Sequence, residues 1–179
     1  MAVQQARGRI EVVSGPMFSG KTSYIIRLIE RYLISKKKVV AIKWKGDVRY
    51  SDKNVIITHN GRSCESHAMN NETLNLPDED ADVVVIDEGQ FFKDIVNFSE
   101  TLANQGKIVI VAALLGTFER KGFNDILNLL PKVEKITFLD AICDFCHEEG
   151  AAFSKRVIDN DDVELVGSDI YKACCRKCW

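Results

Sequence analysis

The chain has no surplus of basic charge. Its 24 Lys and Arg stand against 26 Asp and Glu, for a formal net charge of −2 and a pI near 6.0. Affinity for a nucleic-acid backbone comes largely from neutralising phosphates, so no nucleic-acid partner is expected. Long apolar runs are missing too. The longest, 108–115, falls far short of the roughly 20 residues that cross a bilayer as a helix. The first nine residues, MAVQQARGR, hold no apolar stretch of the kind a secretory signal needs. There is no internal repeat and no low-complexity tract. These absences leave a soluble cytoplasmic protein, with no membrane partner, as the expectation. At 179 residues it has room for one main domain and a small appendage. Six cysteines in such a protein point to metal or redox chemistry before structural disulfides.

The most specific feature present is Gly15-Pro16-Met17-Phe18-Ser19-Gly20-Lys21-Thr22. It fits G-x-x-x-x-G-K-[ST], the phosphate-binding P-loop, and its context fits as well. A β-branched stretch, Ile10-Glu11-Val12-Val13, precedes it, and apolar residues at helical spacing follow over 21–35. The glycines allow a tight turn whose amides aim at phosphate oxygens, and the helix N-terminus adds its positive end. Lys21 would reach the β- and γ-phosphates of a nucleotide, and the Thr22 hydroxyl would ligate Mg²⁺.

Four segments read as buried strands: 9–14, 38–43, 83–87 and 107–113. Those at 83–86 and 108–111 are continuously apolar, as in strands covered on both faces. Helices are expected at 21–35 and 94–104, the latter with Asp94 near its start and Gly106 just past its end. Alternation of strand and helix implies an α/β fold with a parallel sheet flanked by helices. A further helix at 123–130 should stop at Pro131, with another strand at 136–139. The stretch 46–82 is polar and mixed, with one short strand expected at 55–58.

Val83-Val84-Val85-Ile86 ends in Asp87-Glu88. An Asp at a strand tip is the usual second half of a P-loop site, holding Mg²⁺ through water, and Asp87 takes that role here. Glu88 is placed to face a phosphate acceptor, where a carboxylate can take the proton of an attacking hydroxyl or orient an attacking water. Asp87-Glu88-Gly89-Gln90 also resembles the acid box of helicases, and so raises a zinc-containing nucleic-acid-dependent ATPase as a rival. Such motors need a second lobe and a basic track, which this chain does not supply.

Cys143-Asp144-Phe145-Cys146 and Cys175-Arg176-Lys177-Cys178 are two C-x-x-C pairs separated by 28 residues. Two such pairs match a closed, structural Cys₄ zinc site. His147 after Cys146 makes C-x-x-C-H, the haem-attachment pattern, and could alternatively replace a thiolate as ligand; a dithiol redox pair is a further alternative. Cys174 should point away from the cluster, and Cys64 reads as an isolated thiol. A metal at the two pairs would pin both ends of 147–174.

Taken in order, the P-loop, Asp87-Glu88-Gly89-Gln90-Phe91-Phe92 and the paired cysteines resemble the type II thymidine kinases. So do Asp47-Val48-Arg49-Tyr50, the run Ala112–Phe118, Phe153-Ser154-Lys155-Arg156 and the closing Cys175–Trp179. The resemblance covers nearly the whole chain. It implies transfer of the ATP γ-phosphate to the 5′-hydroxyl of thymidine, with Glu88 as general base and Lys21 and Arg49 at the phosphates beside Asp47. It implies an apolar wall of Phe91, Leu114, Phe118 and Phe123 around thymine, with Met17 near its methyl group. Backbone contacts from Val163 and Leu165 on a lasso-like loop and a sugar contact from Tyr171 are implied as well. So are Mg²⁺–ATP, structural zinc, a homotetramer and feedback inhibition by dTTP. The expected division is a nucleotide-binding body over 1–140 and a zinc module bearing the lasso over 141–179.

The chain departs from the family pattern in four places. Leu115 stands where Asp is usual and Gly122 where Pro is usual. The stretch 166–171 is one residue shorter, and the segment 50–60 somewhat longer. These changes bear on the lid and on nucleoside preference, which keeps a kinase for another deoxynucleoside as an alternative. They leave the phosphate site untouched.

Overall fold

A computed structural model describes residues 8–46, 55–57, 61–70, 73–158, 162, 167 and 169–179. Six parallel strands form the central sheet, in the order β5-β2-β6-β7-β1-β8. These are β1 (Arg9–Ser14), β2 (Val39–Trp44), β5 (His67–Met69), β6 (Val83–Asp87), β7 (Ile108–Ala113) and β8 (Lys135–Phe138). The central pair β6 and β7 is buried at every position, which is why both read as unbroken apolar runs rather than alternating ones.

Helix α1 (Lys21–Ile34) lies on one face. Its Ile25, Ile26, Leu28 and Ile29, spaced at helical intervals, pack on Val13, Val85 and Ile110. On the other face, α2 (Ile95–Asn104) and a 3₁₀ stretch, Asn124–Lys132, bury Ile95, Leu102, Ile126 and Leu129 against Ile10, Val12, Ile86 and Val111. Each such fully buried aliphatic side chain contributes about 1.5–3 kcal/mol relative to exposure. Both faces are therefore fixed by the sequence pattern, and the strand register with them.

Several expected elements need adjustment. Strands 38–43 and 107–113 and the helix 94–104 begin one residue later, the strand 136–139 begins one residue earlier, and the strand 55–58 stops at Ile57. The segment 123–130, expected as a helix ending at Pro131, is a 3₁₀ stretch that runs through Pro131 to Lys132; Pro131 has no N–H to donate, and the tight 3₁₀ turns continue only one residue past it. Asp94 occupies the position before α2, but its Oδ2 accepts from the Leu74 amide (2.9 Å) rather than from the helix. Gly106 follows the helix in the left-handed region (φ 90°), as its placement suggested.

The mixed segment 46–82 holds more order than its sequence announces. β3 (Val55–Ile57) pairs antiparallel with β4 (Ser63–Glu65), and this hairpin sends Ile56 and Cys64 into the α1-side core. β5 then joins the main sheet beside β2. Beyond β8 the chain forms a separate two-stranded antiparallel sheet of β9 (Phe153–Arg156) and β10 (Tyr171–Cys174). Cys143, Ala151 and Ala173 make a small core of their own there. Among the described residues no helix is long and apolar enough to cross a membrane.

Candidate active site

The C-terminal ends of β1, β6 and β7 lie side by side, where ligands bind in open parallel sheets. From β1 the chain turns through Gly15 and re-enters helix at Gly20 (φ 83°), a left-handed position suited to glycine. A Cβ at Gly15 would sit 2.3 Å from the Leu139 carbonyl oxygen, so only glycine lets the loop pass that backbone. Phe18 is also left-handed (φ 65°) and half-exposed. Lys21 is buried and folds back over the loop, its Nζ donating to the Gly15 and Pro16 carbonyls at 3.1 and 2.9 Å. The Ser19 hydroxyl donates to the same Pro16 oxygen at 2.8 Å. The Met17 amide donates to the Ser154 hydroxyl at 2.9 Å, tying the loop to β9.

Asp87 closes β6 and meets the first turn of α1: the Thr22 hydroxyl donates to its Oδ2 at 3.2 Å. A hydroxyl and a carboxylate brought together this way, at the mouth of a P-loop, are hard oxygen donors suited to Mg²⁺. On the neighbouring strand Lys43, also buried, is in register with Asp87. Its Nζ donates to the Val55 carbonyl at 3.4 Å and so ties β2 to the β3–β4 hairpin. Burial, with the Asp87 charge adding to it, pushes the Cys64 thiol up to about 11. That thiol stays protonated and belongs to the core.

Glu88 is held in an unusual way. Its backbone is left-handed (φ 55°, ψ 43°), a conformation that costs a residue with a side chain on the order of 1–3 kcal/mol and collects at functional sites. The side chain is nearly buried. Its Oε2 accepts from the Gln90 amide at 2.6 Å, while the Gln90 side-chain oxygen accepts from the Leu114 N–H at 3.0 Å. Asn124 donates to the Gln90 carbonyl at 3.1 Å. Gln90, 1% exposed, thus links the carboxylate at the tip of β6 to the chain leaving β7.

The expected apolar residues fall into two groups. Phe91 stacks on Trp44 (centroids 4.1 Å apart) and meets Phe123 edge-on at 5.5 Å. Leu114 is half-buried above β7 and anchored through Gln90. Phe118 lies instead beneath Arg156, whose Cζ is 3.7 Å from the ring centroid, and Arg156 donates to the Tyr171 hydroxyl at 2.5 Å. Met17 is buried beside β9. Arg49, Val163 and Leu165, together with Asp47, lie outside the described residues.

The four paired cysteines come together. The Sγ atoms of Cys143, Cys146, Cys175 and Cys178 all lie within 4.8 Å of one another, and none is in a disulfide. Cys146 and Cys175 are 3.8 Å apart, the sulfur–sulfur edge of about 3.8 Å that a tetrahedron with Zn–S bonds of about 2.3 Å requires. Burial raises Cys143, but backbone amides of Cys175, Cys146 and Phe145 outweigh it and bring it down to about 6, while the Cys178 thiol, hydrogen-bonded to Cys146, is pushed up to about 12: one thiol of the group carries the charge and its neighbours share their protons with it. A thiolate is the form a metal takes. The donor set fits zinc. His147 is outside this group, in a left-handed turn (φ 61°), and the buried Cys174 thiol turns to the Cys175 carbonyl at 3.3 Å.

Five residues at the site had been given no role from the sequence: Lys43, Trp44, Gln90, Ser154 and Arg156. Lys43 stands in the strand expected at 38–43 and Trp44 just past its end, Gln90 in the acid motif, and Ser154 and Arg156 in the Phe153–Arg156 run. No local spacing rule marks a buried glutamine or arginine as part of a site.

The sheet, the glycine loop and the acid at the tip of β6 define a P-loop α/β nucleotide-binding protein. The chain belongs to the thymidine kinase family, whose profile matches residues 8–179. It is 47% identical to thymidine kinase 1 of Dictyostelium discoideum, over 100% of this chain and 81% of that protein. The sheeppox virus thymidine kinase is 47% identical over 96% of this chain and 97% of its own. The vaccinia virus (strain Western Reserve) thymidine kinase is 46% identical with the same coverage.

The Gln90 bridge makes a direct test. Gln90→Leu removes one donor from Glu88 and leaves the Leu114 N–H without its acceptor. Orphaning a buried polar group costs about 1–3 kcal/mol, which for a chain of this size lowers the melting temperature by several degrees. An unchanged thermal melt would show that the bridge contributes nothing.

Proposed function

We propose that the chain is an ATP-dependent thymidine kinase that transfers the γ-phosphate to the nucleoside 5′-hydroxyl. The observation that carries this is the site itself. Thr22, Asp87 and the Gln90-held Glu88 gather at the C-terminal end of the central strands, in a chain that matches the thymidine kinase family almost end to end.

The chemistry follows from those positions. Gly15, Pro16, Met17, Phe18, Ser19, Gly20, Lys21 and Thr22 wrap the phosphates with turned amides and one ammonium. Thr22 and Asp87 would hold Mg²⁺, which when bound offsets charge on the bridging phosphate oxygens. Glu88 takes the proton from the 5′-hydroxyl as that oxygen bonds to the γ-phosphorus, and the bond to the departing ADP oxygen breaks. Arg49 completes the cationic side of this reading. On the acceptor side Met17, Phe91, Leu114, Phe118 and Phe123 supply apolar surface, Tyr171 a hydroxyl, and Val163 and Leu165 backbone groups for the base. A kinase must keep water from the γ-phosphate, and closed apolar walls serve that need.

Zinc at Cys143, Cys146, Cys175 and Cys178 is structural in this reading, since a four-thiolate site leaves no open position. The separate small core around Cys143 supports treating 141–179 as a module on a body over 1–140. A homotetramer, feedback inhibition by dTTP and a cytoplasmic location complete the proposal, on family grounds.

Three measurements test it. In an ATP-consumption assay thymidine should stimulate strongly and single-stranded DNA not at all. Deoxyuridine should be used less efficiently, because one methyl group in an apolar pocket is worth only about 1–3 kcal/mol. Deoxycytidine or deoxyguanosine as the best substrate would overturn the thymidine assignment. Glu88→Gln keeps the shape and removes the proton acceptor, so turnover should fall by roughly 10²–10⁴ with ATP binding retained; near-normal turnover would exclude Glu88 as base. Elemental analysis should find one zinc per chain, lost in Cys146→Ser together with activity. Structural zinc contributes on the order of 10 kcal/mol to small modules, so an active, zinc-free protein would refute the site.

A further inference from the structure

β9 is four residues long, and its side chains alternate between two tasks. Phe153 and Lys155 face the C-terminal end of the chain. The Phe153 ring meets Trp179 edge-on at 5.5 Å, and Lys155 donates to the Cys178 carbonyl at 3.1 Å. Ser154 and Arg156, both buried, lie on the other side. Ser154 holds the P-loop through the Met17 amide. Among the described residues, Arg156 reaches Phe118 and Tyr171, from separate parts of the chain. Its guanidinium carbon lies over the Phe118 ring, 3.7 Å from the centroid, and its Nη2 donates to the Tyr171 hydroxyl at 2.5 Å. Arg156 and Tyr171 are direct cross-strand partners in the β9–β10 pair. Phe118 stands on the turn closed by the Gly116–Gly122 bridge and by the Thr117 N–H to Lys121 carbonyl bond of 2.8 Å.

Arginine is among the residues least often buried, and taking a guanidinium out of water is costly unless its contacts offset the loss. Here it is 9% exposed and spends its planar face and one of its edges on two residues assigned to the acceptor wall. Only a guanidinium does both at once. Its flat surface stacks on a ring while the N–H groups in its plane donate sideways; a lysine ammonium offers a point charge with no face.

We propose that Arg156 is the positioning residue of the nucleoside side: it fixes Phe118 and Tyr171 relative to each other, and so sets the affinity for the acceptor nucleoside without touching the phosphate site. This rests on the thymidine kinase reading above. Phe118 and Tyr171 are 53 positions apart in sequence, and Arg156 touches both.

The test is steady-state kinetics of Arg156→Lys and Arg156→Gln in the full-length, zinc-containing protein, with thymidine and ATP varied separately. Arg156→Lys keeps the charge and loses the stack and the directed bond; Arg156→Gln avoids stranding a buried charge. A hydrogen bond from a charged donor to a buried partner is worth about a ten- to hundredfold change in an equilibrium. Both variants should raise the thymidine KM by about tenfold or more, while the ATP KM stays within twofold and zinc content stays at one per chain. In a Tyr171→Phe background the Arg156→Lys effect should shrink, because the shared bond is already gone. A thymidine KM within twofold of the parent, or an equal rise for both substrates, overturns the proposal. So does loss of folding in both variants, which would make Arg156 a residue of stability alone. A parent protein inactive on thymidine is a different failure: it removes the kinase reading itself.

Discussion

The meeting of Thr22 with Asp87 is the contact on which the site's layout depends. It joins the first turn of α1 to the tip of β6, and it exists because the two parallel strands β1 and β6 end at the same level with only β7 between them. Parallel order is in turn forced by burial. β6 and β7 expose nothing on either face, so helices must cover both, and the crossover helix α1 must leave β1 at its C-terminal end. The loop making that exit is the phosphate loop. Layering, connection and chemistry are one constraint seen at three scales.

Strain at Glu88 belongs to the same logic. A left-handed glutamate persists only where its surroundings over-determine it. Here the strand fixes Asp87, the Asp87 side chain accepts from the Glu88 amide at 3.1 Å, and Gln90 holds the carboxylate from the far side. The result is a carboxylate held at a strand end rather than carried on a loose loop, which is what a proton acceptor needs when geometry decides its efficiency.

What the sequence showed depended on the length of the signal. The P-loop, the apolar strands and the two C-x-x-C pairs are patterns of local spacing, and the fold class, the strand–loop–helix at 10–34 and the cysteine cluster followed from them directly. The short strand expected at 55–58 is β3 (Val55–Ile57), but β4 and β5, three residues each, are too short for alternation to be seen against polar surroundings, and their existence is decided by partners elsewhere in the chain. Pro131 misled for a related reason: its missing N–H leaves one bond unmade next to the end of the 3₁₀ stretch, and the turns that bury Ile126 and Leu129 still run on to Lys132. Gln90 and Arg156 were illegible because their roles are defined by what lies across space. A buried glutamine between a carboxylate and a backbone amide, or a guanidinium between a phenylalanine and a tyrosine, leaves no periodic trace.

β9 makes the cysteine cluster relevant to the site at a distance. The strand follows Ala151, which packs beside Cys143, and Lys155 caps the carbonyl of Cys178. Two residues on its other side, Ser154 and Arg156, reach the P-loop and the acceptor wall. A metal holding four thiols would fix both strands of the β9–β10 pair at their cysteine-bearing end, and the pair is short enough that little slack remains before Ser154 and Arg156. Side-chain alternation along a strand has a period of two, so a slip of one residue in β9 would swap its faces. Phe153 and Lys155 would then turn toward the P-loop and the acceptor wall, and both the Met17 tether and the guanidinium stack would be lost together. On the proposed assignment of the P-loop and acceptor residues, the cluster would bear on phosphate and nucleoside alike through register, although neither substrate need come near the metal.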